Sequence, residues 1–208
     1  MTPLRARLRA TIGDTEGRGN ARARILAAAV DRFAKHGVPD TRVEDILVAA
    51  DVSRRTFYQC FDDKPAVVHA IFELVTRYLA DTFAAAVART SDPRAAIADA
   101  LGVFLELHRT DRAIMRALVE ESLRSDSPLF ALRVQFRRDI MRGLDAMTGN
   151  ALDPMVALAV VSAVEGISLE LLRTDASEAA IARARAVIAG LVALVARHPD
   201  ELPGKLPR

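Results

Sequence analysis

The 208 residues are 51% hydrophobic and carry 29 Lys and Arg against 27 Asp and Glu, so the chain can bury a sizeable core and has almost no net charge. A single cysteine excludes an intramolecular disulfide and suits a reducing compartment, so the chain is expected to be cytoplasmic. Few aromatics and no tryptophan fit an all-α protein packed from small side chains.

The charge is unevenly spread. Arg5, Arg7, Arg9, Arg18, Arg22 and Arg24 face only Asp14 and Glu16 at the N-terminal end. Residues 1–19 contain Gly13, Gly17 and Gly19 and have no apolar run, which reads as a flexible basic arm rather than a secretory signal. The next stretch, RILAAAVDRFAKHG, is a helical pattern ending at Gly37.

Ala49 to Val68 is the most informative segment: a helix end, a tight turn, a second short helix, a break and the start of a long helix. Thr41 with Glu44 reads as a capping box for the first helix of the pair, and Asp63 as a cap followed by Lys64 and Pro65. On the second helix Arg54, Arg55, Tyr58 and Gln59 share one face, while Phe57 and Phe61 share another. The phenylalanines can pack on Ile46, Leu47, Leu26, Ala29 and Phe33. The polar face then offers guanidinium and amide groups, which read guanine and adenine, beside donors for phosphate. This is what a helix-turn-helix needs, since the N-terminal part of its second helix enters the major groove. The blander alternative is an amphipathic hairpin with a solvated basic face.

From about Asn20 to Val68 the chain resembles the tetracycline-repressor (TetR) family of transcriptional regulators, through RILAAAVDRFAKHG, TRVEDILVAADVS and TFYQCF. The resemblance implies a homodimer with one DNA-binding head per subunit and a helical domain that binds a small-molecule effector. It also implies that Arg54, Arg55, Thr56 and Gln59 face bases, and that Tyr58, Lys64 and the Thr41 cap hold phosphates. Two positions depart from the family pattern. Asp51 stands where glycine is usual in the turn, and Cys60 where a histidine often meets phosphate.

Beyond the head, only helical stripes recur. Val68, Ile71, Phe72, Val75, Leu79 and Phe83 mark a long helix. Asp92 and Pro93 start the next, with Ile97, Leu101, Phe104 and His108 on its stripe. Asp111 reads as the cap of a short helix, Ser127–Pro128 opens one striped by Leu132, Phe136 and Ile140, and Gly149 with Asn150 ends it. Asp153–Pro154 and Ser177–Glu178 open the last two helices, before a proline-rich tail. The expected division is 1–19 arm, 20–66 DNA-binding head, 67–198 ligand-binding and dimerisation domain, and 199–208 tail. Glu165 and Glu170 interrupt the most apolar segment, so no membrane span is expected.

The last two helices are apolar over more than one stripe. Ala159, Ala163 and Gly166 form a small-residue ridge that permits close helix approach, so a two-fold four-helix interface is expected, with burial inside a monomer as the alternative. Phe72, Phe104, His108, Met115, Phe136 and Glu165 are the candidate effector-binding residues. Glu165 either lines a cavity, where it would favour a cationic or hydrogen-bond-donating ligand, or makes an ion pair with Arg137 or Arg112, which leaves room for a wholly apolar ligand. His108 is either a ligand contact or a satisfied core residue.

No nucleophile elbow, zinc-binding HExxH, phosphate-cradling glycine loop or paired-cysteine site occurs, and the four histidines lack ligand spacing. The chain is therefore expected to be no enzyme and to need neither cofactor nor metal. A helical enzyme or an adaptor without operator binding is the alternative.

Overall fold

A computed structural model describes residues 18–90, 92–147, 153–174 and 177–197. Nine α-helices make up the described residues: α1 (Arg18–Asp40), α2 (Val43–Ala50), α3 (Arg54–Cys60), α4 (Lys64–Arg89), α5 (Pro93–Thr110), α6 (Arg112–Leu123), α7 (Pro128–Met147), α8 (Pro154–Arg173) and α9 (Glu178–Arg197). The all-α expectation holds. The N-terminal arm, the Gly149–Asn150 stop and the proline-rich tail lie outside the described residues, apart from the arm's last two positions at the start of α1.

These helices group into two compact units, Met1–Tyr78 with Thr110–Ala131 and Leu79–Arg109 with Leu132–Arg208. In the first unit α1 packs on α2, α3 and α6. Ile25, Leu26, Ala29 and Phe33 of α1 are fully buried, together with Ile46 and Phe57, while Phe61 is nearly so. Phe57 and Phe61, four apart on α3, keep ring centroids 6.1 Å apart. The expected sorting of α3 into a phenylalanine face and a polar face is what the chain adopts. Helix α6 joins this unit although it follows α5 in sequence. Its Ile114, Met115, Ala117 and Leu118 supply an apolar face to α1.

The core of the second unit is Leu105 of α5, Leu171 of α8 and Ile181, Ala184 and Ile188 of α9, with Leu101, Phe104, Val164 and Ile167 packed around it. Caps anticipated at two helix starts form here: Asp153 Oδ1 accepts from Met155 N–H at 2.7 Å, and Ser177 Oγ from Ala180 N–H at 3.3 Å. In the first unit Ser127 Oγ accepts from Leu129 N–H at 3.2 Å. Asp111 stands at the N-cap of α6 and its carbonyl accepts from Met115 N–H, but its carboxylate makes no cap bond and accepts instead from Thr110 Oγ1 at 3.1 Å.

Helix α8 is continuous over 20 residues, and by length and composition it would suffice to cross a membrane. A third of its most apolar window is buried, and it packs on α9 as a bundle helix. Around it Met155 (65% exposed) and, on α9, Val187 (54%) remain uncovered. Ala159 and Gly166 of the small ridge are exposed, and a Cβ at Gly166 or Gly190 would meet nothing within 4 Å.

Candidate nucleic-acid interface

Helix α3 is held from both ends. At its start Ser53 is the N-cap: its Oγ accepts from Thr56 N–H at 3.0 Å and lies 2.8 Å from Thr56 Oγ1. At its end Arg22 of α1 donates from Nη1 to the Cys60 carbonyl at 2.9 Å, with its guanidinium 4.2 Å above the Phe61 ring. Arg24, one turn-half further along α1, does the same for α2. Its Nε donates to the Ala50 carbonyl at 2.9 Å, and its Nη2 reaches the Asp51 carbonyl and, at 3.1 Å, the Asp51 carboxylate. Cations thus meet the negative ends of both helices of the pair. In the sequence these arginines signal only positive charge at the N-terminal end. Their spacing from the helix ends in sequence, 38 and 27 residues, hid the contact.

The turn between the helices forms as expected around Asp51, which takes the left-handed conformation at φ 50°, ψ 54°. Its N–H bonds back to the Val48 carbonyl and Val52 N–H to that of Leu47, so the turn's donors are satisfied. Asp tolerates this conformation better than most residues at a cost of about 1 kcal/mol, and the Arg24 contacts offset it.

Two side chains expected at phosphates, Thr41 and Lys64, are engaged inside the head. Thr41 is 1% exposed, and its hydroxyl donates to the Gly37 carbonyl at 2.7 Å, closing the end of α1 where Gly37 turns to φ 80°. The cap of α2 belongs instead to Arg42 and Asp45: the Asp45 carboxylate accepts from Arg42 N–H at 2.9 Å. Lys64 does not point outward. Its ammonium donates to three carbonyls, Val38 at 2.8 Å, Pro39 at 3.2 Å and Thr41 at 2.9 Å. All three N–H groups of the ammonium are therefore used inside the head. Asp63 caps α4 as expected, accepting from Ala66 N–H at 2.7 Å.

What remains outward is compact. Arg54, Arg55, Tyr58 and Gln59 are exposed on α3, while Thr56 is half-buried and engaged with Ser53. Arg54 pairs with Glu44 near the start of α2. Its own backbone N–H, and then the Arg54 guanidinium, hold the Glu44 carboxyl below its usual range. Cys60 is a free thiol, half-buried.

The effector candidates separate. Phe72 and Met115 belong to the first unit, whereas Phe104, His108, Phe136 and Glu165 belong to the second. His108 is wholly buried; Nδ1 bonds the Phe104 carbonyl at 2.8 Å and Nε2 meets Ser168 Oγ. With Nδ1 as donor, Nε2 accepts from the serine hydroxyl, and burial pushes the imidazole pKa down so that it stays neutral. It is a satisfied core residue. Glu165 is ion-paired, with Arg133 at 3.0 Å and Arg137 at 3.7 Å. The Arg137 partner was legible in sequence; Arg133, one turn earlier on the same helix, was missed.

Residues 25–71 match the family model for bacterial regulatory proteins of the tetR family. Solved structures agree over nearly the whole fold. A TetR-family transcriptional regulator from Streptomyces coelicolor is 15% identical at a TM-score of 0.72, covering 94% of this chain and 98% of that one. NalD, the secondary repressor of the MexAB-OprM multidrug efflux pump in Pseudomonas aeruginosa, is 18% identical at 0.65, covering 83% and 95%. The multidrug binding protein EbrR, complexed with malachite green, is 23% identical at 0.66, covering 82% and 96%. No curated protein matches the chain by sequence.

Proposed function

We propose that this chain is a TetR-family DNA-binding transcriptional regulator, and that two copies act as a repressor on an inverted-repeat operator and leave it when a small molecule binds the second unit. The observation that carries this reading is the face of Arg54, Arg55, Tyr58 and Gln59, exposed on a helix whose opposite face is buried and whose ends are capped. Arg54 and Arg55, at the first positions of α3, contact base edges. Gln59 supplies an amide for adenine, and Tyr58 donates to phosphate. Glu44 holds Arg54 until DNA displaces it.

Assembly follows from the faces that α8 and α9 leave uncovered. Met155, Ala159, Gly166 and Val187 form an apolar, small-residue surface for a second copy. Repression and release by a ligand are supported by analogy with NalD, a repressor, and with EbrR, which binds malachite green.

Selection of DNA from a random pool, with sedimentation of the recovered complex, tests the reading. The expected product is an inverted repeat whose half-sites lie about one helical turn apart, roughly 34–36 Å, or a multiple of it, carrying two protomers. Gly166→Arg should leave each chain folded, since a side chain there meets open space, but should yield monomers with weakened operator binding. A parent protein that is monomeric both free and on DNA, or a pool with no shared motif, overturns the proposal.

A further inference from the structure

In the second unit α7 places Arg133 and Arg137 four residues apart on one face, and α8 answers with Ser162 and Glu165. Arg133 Nη2 and Arg137 Nη1 lie 3.0 Å and 3.7 Å from the same oxygen, Glu165 Oε2. Arg137 Nη2 donates to Ser162 Oγ at 2.8 Å. Two cations thus share one carboxylate, and the cluster keeps one positive charge that it does not neutralise. Asp139, the nearest acid along α7, is engaged with Arg142 and Gln135.

The cluster is neither sealed nor freely solvated. The side chains of Arg133, Arg137 and Glu165 are 21%, 28% and 31% exposed. Within it the Arg137 Nε–H is buried and meets no acceptor. A buried donor of a charged group left without a partner is costly, and folded chains keep few of them. Phe136 and Ile140, both half-buried, fall by helical spacing on the side of α7 that carries the two arginines.

We infer that this cluster receives the carboxylate of an organic acid with an apolar body, and that such an acid is the effector class. The inference rests on the reading of the second unit as the effector-binding part. Displacing Glu165, the ligand's carboxylate takes the Arg137 Nε–H and an adjacent Nη N–H, the fork that one guanidinium offers a carboxylate, with a terminal N–H of Arg133 beside it. Its apolar body lies along Phe136 and Ile140. Glu165 is the internal carboxylate that orders the arginines and competes with the incoming one. A cationic ligand, the expectation had Glu165 stood alone, meets two guanidinium groups instead.

The test is thermal unfolding and calorimetric titration of the full-length protein with straight-chain carboxylates from butanoate to dodecanoate, beside the amine and the alcohol of each length. Carboxylates should stabilise the protein increasingly with chain length and bind about tenfold or more tighter than the matched amines and alcohols. Arg137→Gln should weaken carboxylate binding by about tenfold, and Arg137→Lys by less, because charge returns without the fork. Glu165→Gln should strengthen it by removing the internal competitor, a sign that a purely structural ion pair would not produce. Should Glu165→Gln fail to fold, Glu165→Asp, whose shorter reach loosens the same competition, should also strengthen carboxylate binding. No binding by any carboxylate, equal binding of the amines, or weaker binding in both Glu165 variants overturns the inference. Operator release, followed separately by fluorescence anisotropy, keeps the two readings apart. A carboxylate that binds without releasing DNA sustains the site and removes its effector role. An amine that releases DNA sustains effector control and overturns the carboxylate assignment.

Discussion

The two units of the chain solve the same problem, keeping polar groups on packed helices, in opposite ways. In the reading head the polar side chains that reach inward end on backbone carbonyls: Arg22 on Cys60, Arg24 on Ala50 and Asp51, Lys64 on Val38, Pro39 and Thr41. Such contacts make the end of one helix depend on the placement of another. The head therefore holds its outward face in one orientation. In the second unit buried polar groups also meet other side chains: Arg133 and Arg137 meet Glu165, and His108, beside its bond to the Phe104 carbonyl, meets Ser168. Side-chain pairs can be exchanged for pairs with a ligand, whereas helix-end carbonyls have no such alternative partner. The proposed function requires that combination, a head of fixed shape and a second unit whose contacts a ligand can exchange.

The largest effect should come from removing the outward face while leaving the inward clamps. Arg54→Ala with Arg55→Ala should abolish measurable operator preference, since each guanidinium contact to a base is worth roughly 1–3 kcal/mol of discrimination. The melting temperature should hardly change, because both side chains are exposed and the Arg54–Glu44 pair is a surface one. Electrophoretic shift against specific and random DNA, with thermal unfolding in parallel, checks both halves. Retained preference would show that α3 is not the reading helix.

An inward clamp should behave in the reverse manner. Lys64→Met keeps the aliphatic stem but leaves three carbonyls without their charged donor, and should lower head stability by about 1–3 kcal/mol. Operator affinity should fall only as far as unfolding explains, and its dependence on salt should keep its slope, which counts phosphate contacts. A reduced slope at unchanged stability would return Lys64 to the phosphate backbone.

The smallest expected effect concerns the second unit and pH. Burial lowers the His108 pKa in the folded protein below its unfolded value of about 6.5. The unfolded chain therefore binds the proton first as pH falls. The stability contributed by neutral His108 is fully present above about 6.5 and is lost progressively below it, by at most about 1.4 kcal/mol per pH unit, until the folded pKa is reached. Denaturant unfolding between pH 7.5 and about 5 should show this decline in the parent and a flatter profile in His108→Gln. Identical slopes in both would mean that another group governs acid stability.

The sequence alone determined most of the head. Periodicity put Phe57 and Phe61 inward and Arg54, Arg55, Tyr58 and Gln59 outward, because a helix of known pitch leaves no other choice for residues four apart. It also identified Asp51 as the residue bearing the positive φ, and the caps Asp63, Asp153 and Ser177, since these are local chemistry within a few residues. Tertiary structure decided what lies beyond that range. Thr41 followed by Glu44 satisfies the pattern of a capping box, yet the hydroxyl finds the Gly37 carbonyl first, and Asp45 takes the cap. Lys64 looks like any basic residue beside DNA until the end of α1 is brought to it. Arg22, Arg24 and Arg133 carry no local signal at all, because a long cationic side chain matches many acceptors and only the crossing of helices selects one. The same holds for His108 and Glu165: their spacing placed both on apolar stripes, but the partners that made one a core residue and the other part of a charged cluster came from a different helix.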